Sequence, residues 1–203
     1  MNNRIILAGI ITFVLFLILR YTYDSPLFES FDENMQLLVG GNRFIGIFHY
    51  LGEMKFIIFI TLVLLLWLWL KLHHYRGMLL VILTIPMGFL LNQLVKRWVE
   101  RPRPEIENQL KTFSFPSGHA MLGILYLLTI AYLLSERTHD EKKKWWYWIG
   151  AILIAFFVGL SRVAESRHFA TDVIAGWCLG ITWLCICIYW YKHKEKGHTG
   201  MKR

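Results

Sequence analysis

Residues 56–72 read FIIFITLVLLLWLWLKL, an almost unbroken apolar run. Lys71 is its one charged residue, and fifteen of the other sixteen are apolar. A helix needs ~20 mostly apolar residues to cross the hydrocarbon core of a bilayer, with a range of about 17 to 25. The run therefore predicts a membrane-spanning helix.

The composition of the whole chain agrees with a lipid environment. Of its 203 residues, 56% are hydrophobic and only 18% are charged, whereas about a quarter of the residues in soluble domains are charged. A net charge of +8 is a feature of many nucleic-acid-binding proteins. Here, however, Lys and Arg cluster between apolar runs and not along one amphipathic face, which excludes nucleic acid and favours the bilayer as partner.

Six apolar runs are long enough, or nearly so, to span a bilayer as helices. They are Ile5–Leu19, Phe56–Leu72, Met78–Val95, His119–Leu134, Trp145–Leu160 and Phe169–Tyr191. The first resembles a signal peptide in its charged start and apolar middle, but Arg20–Tyr23 follows it in place of a small-residue cleavage site, so we interpret it as a retained helix. The sequence thus predicts an all-α integral membrane bundle of six transmembrane helices. We expect one domain over residues 1–203, with a disordered cytoplasmic tail at 192–203.

The segment Leu27–Lys55, between the first two spans, is too polar to cross the membrane and too apolar for a free loop. Before the Gly40-Gly41 break, apolar residues recur at helical spacing with acidic residues opposite, and after the break the pattern repeats. This pattern predicts short amphipathic helices at the membrane interface. Two roles remain open for them, a cap over the bundle and a lip for lipid access.

The distribution of Lys and Arg predicts the orientation, because cytoplasmic loops carry an excess of both. With the N-terminus inside, twelve of the 22 fall on the inner side and ten on the outer side. Seven of those ten crowd into two loops, 96–118 and 161–168, and without them the ratio becomes twelve to three. We therefore expect a plasma-membrane protein with both termini in the cytoplasm, and the two exceptional outer loops are candidates for function.

Three segments in these loops carry side chains of complementary chemistry. They are Lys96–Pro104 after the third span, Pro116–His119 at the start of the fourth, and Ser161–Asp172 between the fifth and sixth. Lys96, Arg103 and Arg162 supply three cations, and Arg binds phosphate oxygens bidentately. Ser117 and Gly118 open a helix, where free N–H groups and the helix dipole attract an anion. The combination predicts a phosphate site at the outer face.

Two histidines in these segments are placed as a nucleophile and an acid. His168 and Asp172 are four residues apart and share one face of a helix, so the carboxylate can fix the imidazole tautomer and leave the other nitrogen free to attack. His119 remains as the acid that protonates a leaving oxygen. Each segment alone also has an ordinary explanation, as a topological anchor, a helix cap or a surface pair. Their occurrence together on one side of the membrane favours a catalytic site.

The three segments resemble the signature of the type 2 phosphatidic acid phosphatase superfamily, which is Lys, six residues, Arg-Pro; then Pro-Ser-Gly-His; then Ser-Arg, five residues, His, three residues, Asp. The chain matches it without a departure in spacing or order. The resemblance implies a lipid phosphate phosphatase with no metal and no cofactor. It implies that His168 becomes a phosphohistidine, oriented by Asp172, and that His119 is the general acid. The residues implied to cradle the phosphoryl oxygens are Lys96, Arg103, Ser117, Gly118 and Arg162.

The six-span layout is similar to that of bacterial phosphatidylglycerophosphate phosphatase B-like enzymes, so we expect hydrolysis of phosphatidylglycerophosphate to phosphatidylglycerol. An undecaprenyl diphosphate phosphatase that recycles the polyprenyl carrier is the alternative, because the motifs bind the phosphoryl group that both lipids share. Vanadium haloperoxidases share the constellation but are soluble and larger, which the apolar runs disfavour. A non-enzymatic lipid-binding protein would fit the loss of either histidine, and both are present. No obligatory protein partner is indicated, and the loop Glu105–Lys111 is a candidate for head-group contacts.

Overall fold

The computed structural model describes the backbone of residues 2–199 and the side chains of residues 3–193, and this part of the chain forms nine α-helices. In chain order they are α1 (Asn2–Thr22), α2 (Pro26–Val39), α3 (Arg43–Gly46), α4 (His49–Gly52), α5 (Met54–Leu70), α6 (Tyr75–Val99), α7 (Gly118–Ser135), α8 (Glu141–Ala164) and α9 (Ala170–Thr199).

Five of these helices, α1, α6, α7, α8 and α9, are each long and apolar enough to cross a membrane. The helix α5 has 17 residues and passes the same test together with α3 and α4, from which it is bent by 51°. Each of the six predicted apolar runs lies on one of these six helices, except that Lys71, Leu72 and Phe169 fall just outside the helix ends. The protein is therefore a multi-pass helical membrane bundle, as predicted.

The helix α7 lies at the centre of the bundle. In its most apolar 18-residue window 67% of the residues are buried, against 17% in α1. It packs against α6, α8 and α9, while α1 packs along α9. The contact between α7 and α9 depends on Gly176, because a Cβ there would lie 2.7 Å from the carbonyl oxygen of Ser117. A backbone carbonyl in a helix cannot move aside, so glycine is what lets the starts of α7 and α9 meet.

The predicted interfacial helices are α2, α3 and α4. Pro26 occupies the first turn of α2, where its fixed φ suits a helix and its missing N–H is not needed. The helix packs on α8 and α9 and buries Asp32, whereas Leu37 and Leu38 are 84% and 76% exposed. Thus α2 turns a polar anchor toward the bundle and leaves apolar side chains exposed. This packing is that of a cap, and a role in lipid access stays a prediction.

The disordered tail expected at residues 192–203 stays a prediction. The backbone of α9 is helical to Thr199, beyond Lys192, where we expected the disordered tail to begin. Extending a formed helix adds a hydrogen bond for each residue that is fixed and needs no new nucleus. Residues 200–203 of the predicted tail lie outside the described residues.

Candidate active site

The ends of four long helices meet at one end of the bundle. Lys96 lies in the last turn of α6 and His119 in the first turn of α7. Arg162 lies in the last turn of α8 and Asp172 in the first turn of α9. A cavity of about 160 Å³ lies between these ends, and we call it the phosphate cavity. Predicted site residues from all three segments line it, namely Lys96, Arg103, Gly118, His119, Arg162 and His168.

The turn before α9 sets the geometry of His168 and Asp172. The Phe169 N–H donates to Asp172 Oδ2 at 3.0 Å, so the carboxylate caps the start of the helix. His168 Nδ1 lies 3.4 Å from the same oxygen. The Ser114 hydroxyl also donates to this oxygen, and it lies 3.3 Å from His168 Nδ1. Asp172 and Ser114 therefore hold the Nδ1 side of the ring and leave Nε2 on the side of the cavity.

Arg103 identifies the tautomer of His168. Its Nη1 lies 3.1 Å from His168 Nε2 and 2.6 Å from the carbonyl oxygen of Arg167. Since a guanidinium can only donate, Nε2 accepts this hydrogen bond and the ring proton is on Nδ1. The lone pair of Nε2 is therefore the one directed toward the cations, and an unprotonated nitrogen is what a nucleophile requires.

Electrostatics keep the His168 ring neutral. Burial lowers the pKa of its imidazole to about 3, and the charges of Lys96 and Arg103 act in the same direction, against the hydrogen bond and charge of Asp172. Burial also lowers the pKa of Arg103 to about 10, which leaves its guanidinium charged at neutral pH. A neutral imidazole thus lies beside a permanent cation.

The cations around the cavity have few carboxylate partners. Lys96 Nζ donates to the carbonyl oxygens of Phe113 at 2.6 Å and Ser114 at 3.2 Å. Arg162 Nη1 donates to Glu165 at 2.6 Å, while its buried Nε has no partner among the described residues. Desolvated positive charge of this kind attracts an anion more strongly than the same charge in water. The cavity is therefore suited to a phosphoryl group.

His119 reaches the cavity from the first turn of α7. Its ring makes no hydrogen bond within the described part of the chain. A Cβ on Gly52 would lie 2.7 Å from His119 Cδ2, so the glycine at the end of α4 makes room for the ring. A ring nitrogen that the protein does not engage remains available to a ligand oxygen, as an acid requires.

Ser117 is placed differently from the other predicted phosphate ligands. It is fully buried, and its hydroxyl accepts the Ala120 N–H at 3.5 Å as the cap of α7. Its own N–H donates to the carbonyl oxygen of Asp172 at 2.9 Å. Ser117 does not line the phosphate cavity, whereas the backbone of its neighbour Gly118 does. A contact between Ser117 and phosphate therefore stays a prediction.

A buried polar network behind Asp172 was not predicted from the sequence. Arg101 donates from Nη1 to Asp172 Oδ1 at 2.8 Å and from Nη2 to Asp32 Oδ2 at 3.0 Å. Thr171 donates to Asp32 through its N–H at 2.8 Å and its hydroxyl at 2.7 Å. The network thus connects α2, through one guanidinium, to the carboxylate that holds His168.

Aromatic rings fix the position of Arg101. Its guanidinium carbon lies 4.4 Å from the ring centroid of Tyr23 and 4.1 Å from that of Phe169, which are favourable cation–π distances. Because Arg101 occupies Asp172 Oδ1, only Oδ2 remains for His168 and Ser114. The sequence signal for Arg101 was its place in the charged run after α6, where it could not be told from a topological anchor.

Fold and site together define an integral membrane protein with a histidine–aspartate pair and three cations around a phosphate-sized cavity. Residues 75–196 match the PAP2 superfamily. The chain belongs to this superfamily, as its resemblance to the type 2 phosphatidic acid phosphatases implied.

Curated relatives match the region that carries the site. The chain is 40% identical over 107 residues to phosphatidylglycerophosphatase B of Bacillus subtilis, covering 51% of this chain and 52% of the relative. It is 37% identical over 79 residues to an undecaprenyl-diphosphatase of Sulfolobus acidocaldarius, covering 39% of this chain and 34% of the relative. The matches therefore span about half, or less, of the length of these relatives.

A solved structure extends the likeness to nearly the whole chain. The crystal structure of a transmembrane PAP2-type phosphatidylglycerolphosphate phosphatase from Bacillus subtilis superposes with a TM-score of 0.80 at 28% identity. The match covers 96% of this chain and 97% of that chain. The arrangement of the helices around the site is thus shared with a solved membrane protein of the same superfamily.

Proposed function

We propose that this protein is a lipid phosphate phosphatase that works through a phosphohistidine at His168. The observation that carries the proposal is the state of that ring. Its Nδ1 proton lies toward Asp172 and Ser114, while its Nε2 lone pair accepts from Arg103 at the wall of the phosphate cavity. The names of the two curated relatives support the same activity.

In the first step, the Nε2 lone pair of His168 attacks phosphorus, an N–P bond forms, and the bond from phosphorus to the leaving oxygen breaks. His119, in its protonated form, gives its proton to that oxygen. Arg103 transfers its hydrogen bond from Nε2 to a phosphoryl oxygen, and Lys96 and Arg162 stabilise the charge on the other oxygens. The lipid product leaves with a hydroxyl group in place of the phosphate ester or, from a diphosphate, as a lipid phosphate.

In the second step, water attacks the phosphohistidine. The neutral His119 takes a proton from that water, a P–O bond forms, and the N–P bond breaks to return His168 to its neutral state. Inorganic phosphate is released, and His119 is protonated again for the next substrate. We expect no metal requirement, because three cations supply the charge stabilisation that metal ions supply in other phosphoryl-transfer enzymes.

We expect phosphatidylglycerophosphate as the substrate, with phosphatidylglycerol as the lipid product. The 40% identity to phosphatidylglycerophosphatase B supports this choice. Undecaprenyl diphosphate is the second candidate, supported by the likeness to the Sulfolobus undecaprenyl-diphosphatase.

Single-turnover labelling tests the mechanism. Purified protein in mixed micelles is mixed with either lipid, labelled with ³²P in its terminal phosphate, and quenched in alkali, which preserves phosphohistidine. We expect labelled protein and phosphate release in wild type, both unaffected by EDTA, and neither in His168→Asn. His139→Asn, at an exposed loop position, is the control. Phosphate release by His168→Asn, or loss of activity in EDTA that Mg²⁺ restores, would contradict the proposal.

We also propose that both termini face the cytoplasm and that the site faces the outside of the plasma membrane. The bias of twelve to three in Lys and Arg outside the two functional loops supports this orientation. In intact cells, an impermeant thiol reagent should label Asn108→Cys and spare Lys142→Cys. The wild-type protein measures the background labelling of the three native cysteines, which are buried or partly buried in α9. The reverse labelling would place the site in the cytoplasm.

A further inference from the structure

A second, larger space adjoins the phosphate cavity. It has a volume of about 670 Å³, shares His119 and Arg162 with the phosphate cavity, and is called the outer chamber here. The phosphate cavity is the smaller of the two, at about 160 Å³. That volume accommodates a phosphoryl group and its oxygens but not a lipid head group. The rest of the substrate must therefore lie elsewhere.

The proposed mechanism, on which this inference rests, gives the direction in which the substrate leaves the phosphate cavity. In phosphoryl transfer the attacking and leaving atoms lie roughly in line on opposite sides of phosphorus. With His168 as nucleophile and His119 as acid, the leaving oxygen is on the His119 side. Since His119 lines both spaces, the leaving group extends past it into the outer chamber.

Part of the charge in the outer chamber is neutralised within the protein. Glu165 accepts from Arg162 at 2.6 Å, and its other oxygen lies 2.7 Å from His49 Nδ1. Glu53 lies 3.6 Å from His49 Nε2. Glu165 is therefore held between Arg162 and His49, whereas Glu53 lies beyond hydrogen-bond distance of the His49 ring.

Two cations of the chamber have no such partner. Arg167 donates to the carbonyl oxygen of Asn108 at 2.8 Å and to Gln109 Oε1 at 3.3 Å, both of them neutral acceptors. Within the described part of the chain, neither Arg167 nor Lys55 forms an ion pair with a carboxylate. A guanidinium and an ammonium without a carboxylate partner are groups that bind phosphate oxygens.

We propose that the outer chamber is a subsite for a second phosphate, carried by the leaving group and contacted by Lys55 and Arg167. The enzyme would then prefer substrates whose leaving group is itself anionic. A phosphodiester linked through glycerol and a directly attached second phosphate both have this chemistry. A simple phosphomonoester of diacylglycerol lacks it.

The test compares kcat/KM for three lipids in identical micelles: phosphatidylglycerophosphate, undecaprenyl diphosphate and phosphatidic acid, which has no second phosphate. The variants are Lys55→Gln and Arg167→Gln, with Arg167→Lys to restore the charge and Lys71→Gln, exposed at the opposite end of the bundle, as the control for net charge. We expect Lys55→Gln and Arg167→Gln each to lower kcat/KM about tenfold on at least one substrate with a second phosphate, as for one lost charged hydrogen bond. On phosphatidic acid, kcat/KM should fall by less than about twofold. Arg167→Lys should recover part of the loss.

A selective loss on phosphatidylglycerophosphate alone would support a subsite for the glycerol-linked phosphodiester, and one on undecaprenyl diphosphate alone a subsite for an adjacent phosphate. Equal losses on all three lipids, or no loss on any, would overturn the subsite while leaving the phosphatase proposal intact. A wild-type protein that hydrolyses none of the three would overturn the phosphatase proposal itself. Because Lys55 is exposed, its variant is expected to fold and gives the decisive comparison.

Discussion

Lowering the pH from 8 to 5 is expected to destabilise this protein through His168. In the folded state, burial lowers the pKa of this ring from its ordinary 6.5 to about 3. In the unfolded chain the ring takes up a proton as the pH falls through 6.5, whereas in the folded protein it stays neutral until about pH 3. The unfolded state therefore binds more protons across this window, and stability falls as the pH falls.

The size of the effect follows from the two pKa values. At pH 5 the solution is about 1.5 units below the ordinary pKa, and each unit corresponds to about 1.36 kcal/mol. His168 should therefore cost about 2 kcal/mol of stability at pH 5 and almost nothing at pH 8. Because other groups also titrate, the contribution of His168 is isolated by comparison with His168→Asn, whose amide can replace the donor at Nδ1 but does not titrate.

The free energy of unfolding is measured in detergent micelles at both pH values by tryptophan fluorescence. Wild type and the exposed control His139→Asn should each lose about 2 kcal/mol more than His168→Asn between pH 8 and pH 5. If all three lose the same amount, the folded protein accepts a proton at His168 as readily as the unfolded chain does. The folded structure would then not hold the ring neutral, and the description of His168 as a buried neutral imidazole would be refuted.

Three further predictions concern the acid, the buried network behind Asp172 and the packing of α7 against α9. His119→Ala is expected to lose about 10²–10⁴-fold in kcat/KM on a lipid phosphate, whose alkoxide needs a proton, and much less on nitrophenyl phosphate; equal losses would rule out the acid role. Arg101→Gln should lower the free energy of unfolding by about 3–5 kcal/mol, because it leaves buried carboxylates without their cation. Adding Asp32→Asn should recover part of that loss, and a double-mutant cycle without coupling would contradict the network. Gly176→Ala should cost about 1–3 kcal/mol, whereas Gly150→Ala, with nothing within 4 Å of its Cβ, should be neutral or gain about 0.5–1 kcal/mol in thermal unfolding.

The spans could be predicted because crossing a membrane is a local demand on length and composition. A run such as 56–72 meets that demand whatever it packs against. The break between α4 and α5 could not be predicted in this way. Glu53 is extended there, with φ of −66° and ψ of 142°, without a proline to mark the break. The bend accompanies the close approach of Gly52 to the His119 ring, which exists only in the assembled bundle.

In the site, too, local features could be predicted from the sequence and contacts between distant segments could not. The spacing of His168 and Asp172 predicted a shared helix face, because four residues make about one helical turn. The structure differs, since α9 begins at Ala170 and His168 lies in the turn before it. The two side chains still meet, because Asp172 caps that turn. The network between Arg101 and Asp32 joins residues far apart in the chain, and on its own helix Asp32 belongs to a polar face that sequence reasoning assigns to water. Only the packing of α2 on α9 shows that this face is buried. The sequence around Ser117 is compatible with two roles, a helix cap and a phosphate ligand. The structure shows the helix cap.

Lys96, His119 and Arg162 each lie within one turn of a helix end. The number of residues in each of these helices is therefore constrained by the site. Each residue in an α-helix adds about 1.5 Å and turns the chain by about 100°. One residue inserted in the middle of α8 would therefore swing Arg162 to another side of the helix as well as displace it along the axis. A change in bilayer thickness has to be absorbed by tilt or by the ends away from the cavity. In the apolar middle of each span, one hydrophobic side chain can replace another, but the number of residues has to stay the same.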